Sequence, residues 1–136
     1  MNSLYLGIDP GRSKTGIAVT DNDGKIVYLK VAETEHILDE LQAVKHKYPV
    51  EQAVIGNGTN SKFLTEITGS VFAGMPLNVV GEAHSTEEAR KLYWELNPPQ
   101  GLKKIIPLGL LVPEEPLDAY AAVVLIKRFL KQKRSG

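Results

Sequence analysis

The chain has 136 residues, of which 43% are hydrophobic and 24% charged, and its 16 basic residues balance its 16 acidic ones. This length predicts one domain, residues 1–136, with a single hydrophobic core. A net charge of zero gives no bulk attraction for nucleic acid, so such a partner must be inferred from local clusters. No apolar run approaches the roughly 20 residues of a membrane span, and the lack of cysteine excludes disulfides and thiolate metal sites.

The first quarter of the chain predicts three antiparallel strands. An apolar run ends at Asp9, and the Pro10-Gly11 pair that follows is a strong turn former. An Asp-Gly turn then separates two further runs with strand periodicity. The predicted strands span residues 4–9, 16–21 and 25–31. Asp9 is therefore expected at the carboxyl end of a buried strand. It lies there either as part of a functional site or as the acid that caps the turn.

After the third strand, helical and strand periodicities alternate. The predicted helices span residues 35–48, 61–72, 85–97 and 116–131, and the predicted strands span residues 52–56 and 77–81. Residues 100–116 form a long connection rich in Pro and Gly, which is typical of functional or mobile segments. The order βββαβαβαα predicts an α/β fold with a mixed five-stranded sheet, in which three antiparallel strands are followed by parallel ones and helices cover both faces.

Three acidic residues lie where this fold would collect a ligand. Asp9 ends the first strand, Glu82 closes the last one, and Asp118 lies in the first turn of the final helix, on its sheet-facing stripe. The first and fourth strands are expected to be parallel neighbours, and ligands gather beyond the carboxyl ends of such strands. Three acids without a convergent His or Cys suit Mg²⁺ or Mn²⁺. Two such ions about 4 Å apart can stabilise both oxygens of a phosphodiester displacement.

For two of these acids, a role without any bound ligand remains an open alternative. Glu82 is equally consistent with an exposed acid at a strand end. Asp118 is equally consistent with a first-turn acid that the helix dipole stabilises.

Four further residues are candidates for substrate binding. Arg12 and Lys14 lie in a basic loop beside Asp9 and could bind a phosphate. Asn57 opens the polar loop after the fourth strand, and Lys104 lies in the Pro- and Gly-rich connection, which is expected to pass close to the site. A solvated turn and ordinary loop polarity are the competing interpretations.

Four segments resemble motifs of the ribonuclease H-like nucleases of the YqgF/RuvX and RuvC type. Residues 6–19, LGIDPGRSKTGIAV, resemble the opening motif, and residues 54–56 with the following polar loop resemble the second. Residues 81–89 are similar to the acidic third motif, and residues 117–126 to the closing helix. The resemblance covers nearly the whole chain in the right order. The chain length fits the YqgF/RuvX branch better, whereas the Asp-Pro-Gly sequence is more like that of the resolvases.

The resemblance implies three catalytic metal ligands, Asp9, Glu82 and Asp118. Lys14 stands where the YqgF/RuvX motif usually has an arginine near the substrate phosphates. Two departures concern substrate contacts and leave the ligands in place: Ala83 replaces the arginine that commonly follows the third-motif acid, and Gly81 replaces a second acid.

We therefore expect a metal-dependent nuclease with a ribonuclease H-like fold. The resemblance implies a role in 5′-end maturation of small-subunit (16S) pre-rRNA, with Holliday junction resolvase-like cleavage of branched DNA as the alternative. A nucleic-acid-binding module with weak or lost activity is a second alternative, and a fragment of an actin-like sugar kinase is a disfavoured third. The N-terminus has no signal-peptide pattern, so a cytoplasmic monomer or homodimer without a membrane partner is expected.

Overall fold

The computed structural model describes residues 3–107, 110–113 and 115–135, and its elements follow the predicted order. The strands are β1 (Leu4–Asp9), β2 (Lys14–Asp21), β3 (Ile26–Glu33), β4 (Val50–Gly56) and β5 (Leu77–Val80). The helices are α1 (Ile37–Lys47), α2 (Ser61–Val71), α3 (Ser85–Leu96) and α4 (Asp118–Ser135). Short 3-10 turns at Thr34–His36 and Gly101–Ile105 precede α1 and follow α3.

The five strands form one mixed sheet in the order β3-β2-β1-β4-β5. The first three strands pair antiparallel, whereas β4 runs parallel to both β1 and β5. This confirms the predicted sheet. The central position of β1 agrees with its continuous apolar run, since a strand that is covered on both faces needs apolar side chains on both. Asp9 therefore lies at the middle of the carboxyl edge of the sheet.

Side chains of β1 alternate between the two faces of the sheet. Leu6 and Ile8 are fully buried in the cluster formed with α1 and α2. Tyr5 belongs to the cluster on the opposite face, which is formed with α3 and α4. Because successive strand residues point to opposite faces, Asp9 shares the face of Tyr5 and is directed towards α4.

Helix α4 lies directly on the sheet because glycines leave room for its backbone. A Cβ atom added at Gly7 would lie 2.6 Å from the carbonyl oxygen of Ala122. A Cβ added at Gly16 would overlap the carbonyl oxygen of Asp118, the first residue of α4. The absence of side chains at these two positions therefore fixes the start of α4 against β2.

Several element boundaries differ from the predicted ones. β2 begins at Lys14 rather than residue 16, because the N–H of Thr34 donates to the carbonyl of Ser13 at 2.9 Å and extends the pairing with β3. The predicted helix over residues 35–48 is divided into a 3-10 turn and α1, and the last helix runs from Asp118 to Ser135 instead of 116–131.

The predicted connection over residues 100–116 contains the 3-10 turn at Gly101–Ile105, while its residues 108, 109 and 114 lie outside the described part of the chain. Among the residues that the structure describes, none of the helices combines the length and the apolar character needed to cross a bilayer.

Replacing Gly16 by Ala should destabilise the protein, because the new methyl group meets backbone that cannot rotate away. We expect a loss of roughly 1–3 kcal/mol in the free energy of unfolding, which is typical of an overpacked core. Gly69→Ala is the matched control: Gly69 lies in α2, and its added Cβ would make only an ordinary contact of 3.5 Å with Leu77. That variant should be neutral or gain up to about 1 kcal/mol from helix propensity. Urea unfolding of both variants measures the difference, and equal stability of the two would refute the close packing of α4.

Candidate metal centre

The three predicted acids converge over the end of β1. In the sheet, Asp9 lies opposite Gly16 of β2, and the pairing of Ile8 with Ile55 places Gly56 on its other side. The backbone of Asp118 covers Gly16, and the carboxylate of Glu82 covers Gly56. Gly16 and Gly56 therefore flank Asp9. The backbone of Asp118 lies in the space left at Gly16, and the carboxylate of Glu82 lies in the space left at Gly56.

The carboxylate of Glu82 occupies space that glycines leave open. A Cβ atom added at Gly56 or at Gly58 would overlap its oxygens. The backbone N–H of Glu82 donates to Oδ1 of Asn57 at 3.2 Å, and its carbonyl accepts from the N–H of Ser85 at 3.0 Å. The strand end, the glycines and the start of α3 together determine where this side chain lies.

Oε2 of Glu82 is buried and has no hydrogen-bond donor among the described residues. The adjacent Asp9 carboxyl can satisfy it only when one of the two groups carries a proton. The pKa of Asp9 is raised from 3.8 to about 7, chiefly by burial and then by the hydrogen bond with Glu82 and the negative charges of Glu82 and Asp118.

No cation of the described residues compensates these acids. Neither Asp9, Glu82 nor Asp118 forms an ion pair with a Lys, Arg or His in that part of the chain. Partly buried carboxylates that repel one another are unfavourable unless a proton or a cation neutralises them. The donor set is made of oxygens only, which is the type that Mg²⁺ and Mn²⁺ prefer.

The turn after Asp9 is held in place by two distant side chains. The carbonyl oxygen of Gly11 accepts from Oγ1 of Thr34 at 3.0 Å and from Nδ2 of Asn60 at 3.2 Å. Asn60 precedes α2 in the left-handed region, with φ of 65°, which Asn tolerates better than most residues. These bonds fix the loop that forms one wall of the site.

The predicted substrate-binding residues have different surroundings. Arg12 and Lys14 are exposed in the loop and strand that follow Asp9, close to acids, since Lys14 lies opposite Glu33 in the sheet. Asn57 contacts the backbone of Glu82, a positioning contact that the sequence did not reveal.

Lys104 lies in the connection between α3 and α4. It is exposed within the 3-10 turn after α3. This turn packs near Tyr93, Trp94 and Glu115, at the end of α3 opposite to the end that follows Glu82. Glu115, which lines the same pocket as Lys103, precedes Asp118 by three residues. The expectation that the connection passes close to the site stays a prediction.

A second acidic group was missed in the sequence. Glu33, Glu35 and His36 each have a possible metal-ligand atom within 4.8 Å of those of the other two. Among the described residues, this is the one group of three or more His, Cys, Asp or Glu residues with that spacing. The Asp9 group is therefore more widely spaced. All three residues of the second group are exposed, and His36 approaches Glu33 at 3.3 Å and Glu35 at 3.8 Å. The acids there have a potential cationic neighbour and full solvation, in contrast to Asp9 and Glu82.

The mixed sheet, with an acid ending the central strand and a helix crossing it, agrees with the predicted ribonuclease H-like fold, and the likeness to solved structures confirms that fold class. The structure of Thermus thermophilus RuvC is similar with a TM-score of 0.65, 15% identity and coverage of 96% of each chain. T. thermophilus RuvC in complex with a Holliday junction substrate is similar with a TM-score of 0.63, 16% identity and coverage of 98% of this chain and 96% of that one. At these identities the likeness shows the fold alone.

Sequence comparisons add little to this likeness. No protein-family model matches the chain. The uncharacterized protein YdcI of Bacillus subtilis (strain 168) is 29% identical over 82 residues, which are 54% of this chain and 11% of YdcI. The chain thus spans about a tenth of the length of that curated relative, and the YqgF/RuvX branch stays a prediction.

Replacing Asp9 by Asn should stabilise the metal-free protein at alkaline pH. The unfolded chain releases the Asp9 proton near pH 3.8, whereas the folded protein holds it up to about pH 7. The free energy of unfolding of the wild type therefore falls as the pH rises from about 3.8 to about 7. Asp9 causes no further loss above that range. Asn carries no charge, so we expect a gain of about 1–2 kcal/mol at pH 8, reduced from the full linkage value by partial solvation.

The gain should shrink as the pH falls from 7 and approach zero below about pH 3.8, where Asp9 is protonated in both states. Urea unfolding in EDTA at pH 4.5, 6 and 8 measures this dependence. A difference between the two proteins that is constant with pH would contradict the raised pKa.

Proposed function

We propose that this protein is a nuclease that hydrolyses phosphodiester bonds with Mg²⁺ or Mn²⁺ held by Asp9, Glu82 and Asp118. One observation carries the proposal: Asp9 and Glu82 are brought together near Asp118 in a partly buried position, and no cation among the described residues pairs with them. A proton relieves this repulsion at low pH, whereas above about pH 7 a bound cation would compensate it. A divalent cation coordinated by oxygens is the ligand that fits.

The chain's own residues supply rigidity and position. When bound, the metal ions would stabilise the charge that develops on the phosphate and lower the pKa of water. Asp9 extends from the central strand, Asp118 is fixed by the contact of its backbone with Gly16, and Asn57 holds the backbone of Glu82. Ligands held in this way need little rearrangement when the metal binds. A two-ion arrangement is part of the proposal.

Two nucleic-acid substrates follow from different observations. The motif resemblance implies maturation of the 5′ end of 16S pre-rRNA in the cytoplasm. The likeness to RuvC, which has been solved with a Holliday junction substrate, favours branched DNA. The exposed Arg12 and Lys14, in the loop and strand that follow Asp9, are the proposed phosphate contacts for either substrate, and Lys104 is a further candidate.

A cleavage assay tests the proposal with three proteins: wild type, Asp9→Asn and Glu35→Gln. Each is incubated with a four-way DNA junction or with RNA that contains a 16S precursor 5′ end, in Mn²⁺, Mg²⁺ or EDTA. We expect metal-dependent cleavage by the wild type and by Glu35→Gln, and a rate at least about 100-fold lower for Asp9→Asn, which corresponds to a few kcal/mol of transition-state stabilisation.

The control variant separates the two acidic groups. If Glu35→Gln loses activity while Asp9→Asn keeps it, the metal centre is at Glu33, Glu35 and His36 instead. Equal background cleavage by all three proteins would refute the nuclease. Tight binding of either nucleic acid without cleavage would then support the binding module, which the departures at Gly81 and Ala83 motivate.

Replacing Gly58 by Ala should weaken metal binding, because the added Cβ displaces the carboxylate of Glu82. We expect Mn²⁺ affinity to fall by about tenfold or more, as it does when groups that orient a metal ligand are changed. Gly81→Ala is the matched control next to Glu82, since its Cβ would meet nothing within 4 Å. Isothermal titration with Mn²⁺ measures both variants, and equal affinities would count against Glu82 as a ligand.

A further inference from the structure

We propose that Arg128 is a positioning residue that holds the backbone on both sides of Glu82, so that the Glu82 carboxylate faces Asp9. The part of this proposal that concerns metal binding rests on the proposed function. The part that concerns the position of Glu82 rests on contacts of the described residues alone.

The guanidinium of Arg128 reaches the segment that carries Glu82 from α4. Its Nη1 donates to the carbonyl of Gly81 at 2.9 Å, and its Nη2 donates to the carbonyl of Ala83 at 2.6 Å. Nη2 also forms an ion pair with the carboxylate of Glu88 in α3. The Arg128 side chain is 23% exposed, although the bonds it forms lie at the surface.

The other hydrogen bonds of this segment among the described residues are those between Asn57 and the end of β5 and that from the N–H of Ser85 to the carbonyl of Glu82. β5 has only four residues, lies at the edge of the sheet and ends at Val80. Gly81 has no side chain, and an added Cβ there would meet nothing within 4 Å. Glu82 itself is bonded through its N–H to Asn57. Asn57 therefore holds the segment from the side of β4, and Arg128 holds the carbonyls on either side of Glu82.

Arginine suits this task better than lysine. Its planar fork offers several N–H groups in fixed directions, and so it can bond two carbonyls and a carboxylate at once. A lysine at this position would carry the charge but could not reproduce the paired geometry. Because Arg128 and Asp118 belong to the same helix, α4 fixes two of the three acids: Asp118 through its contact with Gly16, and Glu82 through Arg128.

Three variants of the full-length chain test this proposal: Arg128→Met, Arg128→Lys and Arg134→Met. Arg134 is the matched control because it lies on the same helix and donates to the carbonyl of Asn22 at 2.8 Å, with Asp23 at 3.8 Å, at the turn between β2 and β3. Titration of Mn²⁺, followed by the electron paramagnetic resonance signal of the free ion, measures affinity. Thermal unfolding of each protein shows how much of it is folded.

We expect Arg128→Met to bind Mn²⁺ about tenfold more weakly than the wild type, with Arg128→Lys in between and Arg134→Met unchanged. A general loss of folding would lower the fraction of competent protein but not the affinity of the remainder. If Glu82→Gln weakens Mn²⁺ binding while Arg128→Met binds Mn²⁺ as tightly as Arg134→Met does, the proposal is overturned.

A fourth variant, Glu82→Gln, separates this proposal from the proposed function. If Glu82→Gln binds Mn²⁺ as the wild type does, the metal centre has been misassigned, and the position of Glu82 is then tested by amide hydrogen exchange. Faster exchange at the N–H groups of Glu82 and Ser85 in Arg128→Met, but not in Arg134→Met, would support the positioning role. Unchanged exchange at both groups would overturn it.

Discussion

The close approach of α4 to the sheet is the constraint on which the candidate site depends. At Gly16 and Gly7 the helix backbone meets the strand backbone without an intervening side chain. A helix that contacts the sheet in this way cannot slide or rotate without overlap, because the interior is already close-packed. This contact determines the position of Asp118 over β2. It also fixes the part of α4 from which the side chain of Arg128 extends.

The apolar clusters on the two faces of the sheet stabilise a site that is itself unfavourable. Both clusters extend through β1, where Leu6 and Ile8 are fully buried. Asp9 is the next residue of that strand, and burial raises its pKa. The favourable transfer of apolar side chains from water thus offsets the cost of gathering partly desolvated carboxylates. Such a compromise is typical of functional sites, where a local conflict persists because the surrounding structure holds it.

The elements that could be predicted from the sequence are those with strong local signals. Long apolar runs and Asp-Gly or Pro-Gly turns indicated the strands, and the carboxyl ends of those strands indicated Asp9 and Glu82. The start of β2 was predicted too late because its extension depends on pairing of Ser13 with Thr34, a contact between distant positions. The course of the connection that contains Lys104 has no periodicity from which it could be predicted. The roles of Asn57 and Arg128 depend on contacts across 25 and 47 positions, which no local pattern contains.

Arg128 lies beside Ala83, but its contacts differ from those expected of an arginine at position 83 itself. The resemblance implies an arginine at this position near the substrate, and Arg128 donates to the Ala83 carbonyl. However, its Nη1 and Nη2 groups already bond Gly81, Ala83 and Glu88. A phosphate that drew the guanidinium away would leave those carbonyls without their donor and release the backbone around Glu82. Arg128 is therefore suited to hold the backbone around Glu82 rather than to bind a phosphate, and Arg12 and Lys14 in the loop and strand after Asp9 are the proposed phosphate contacts.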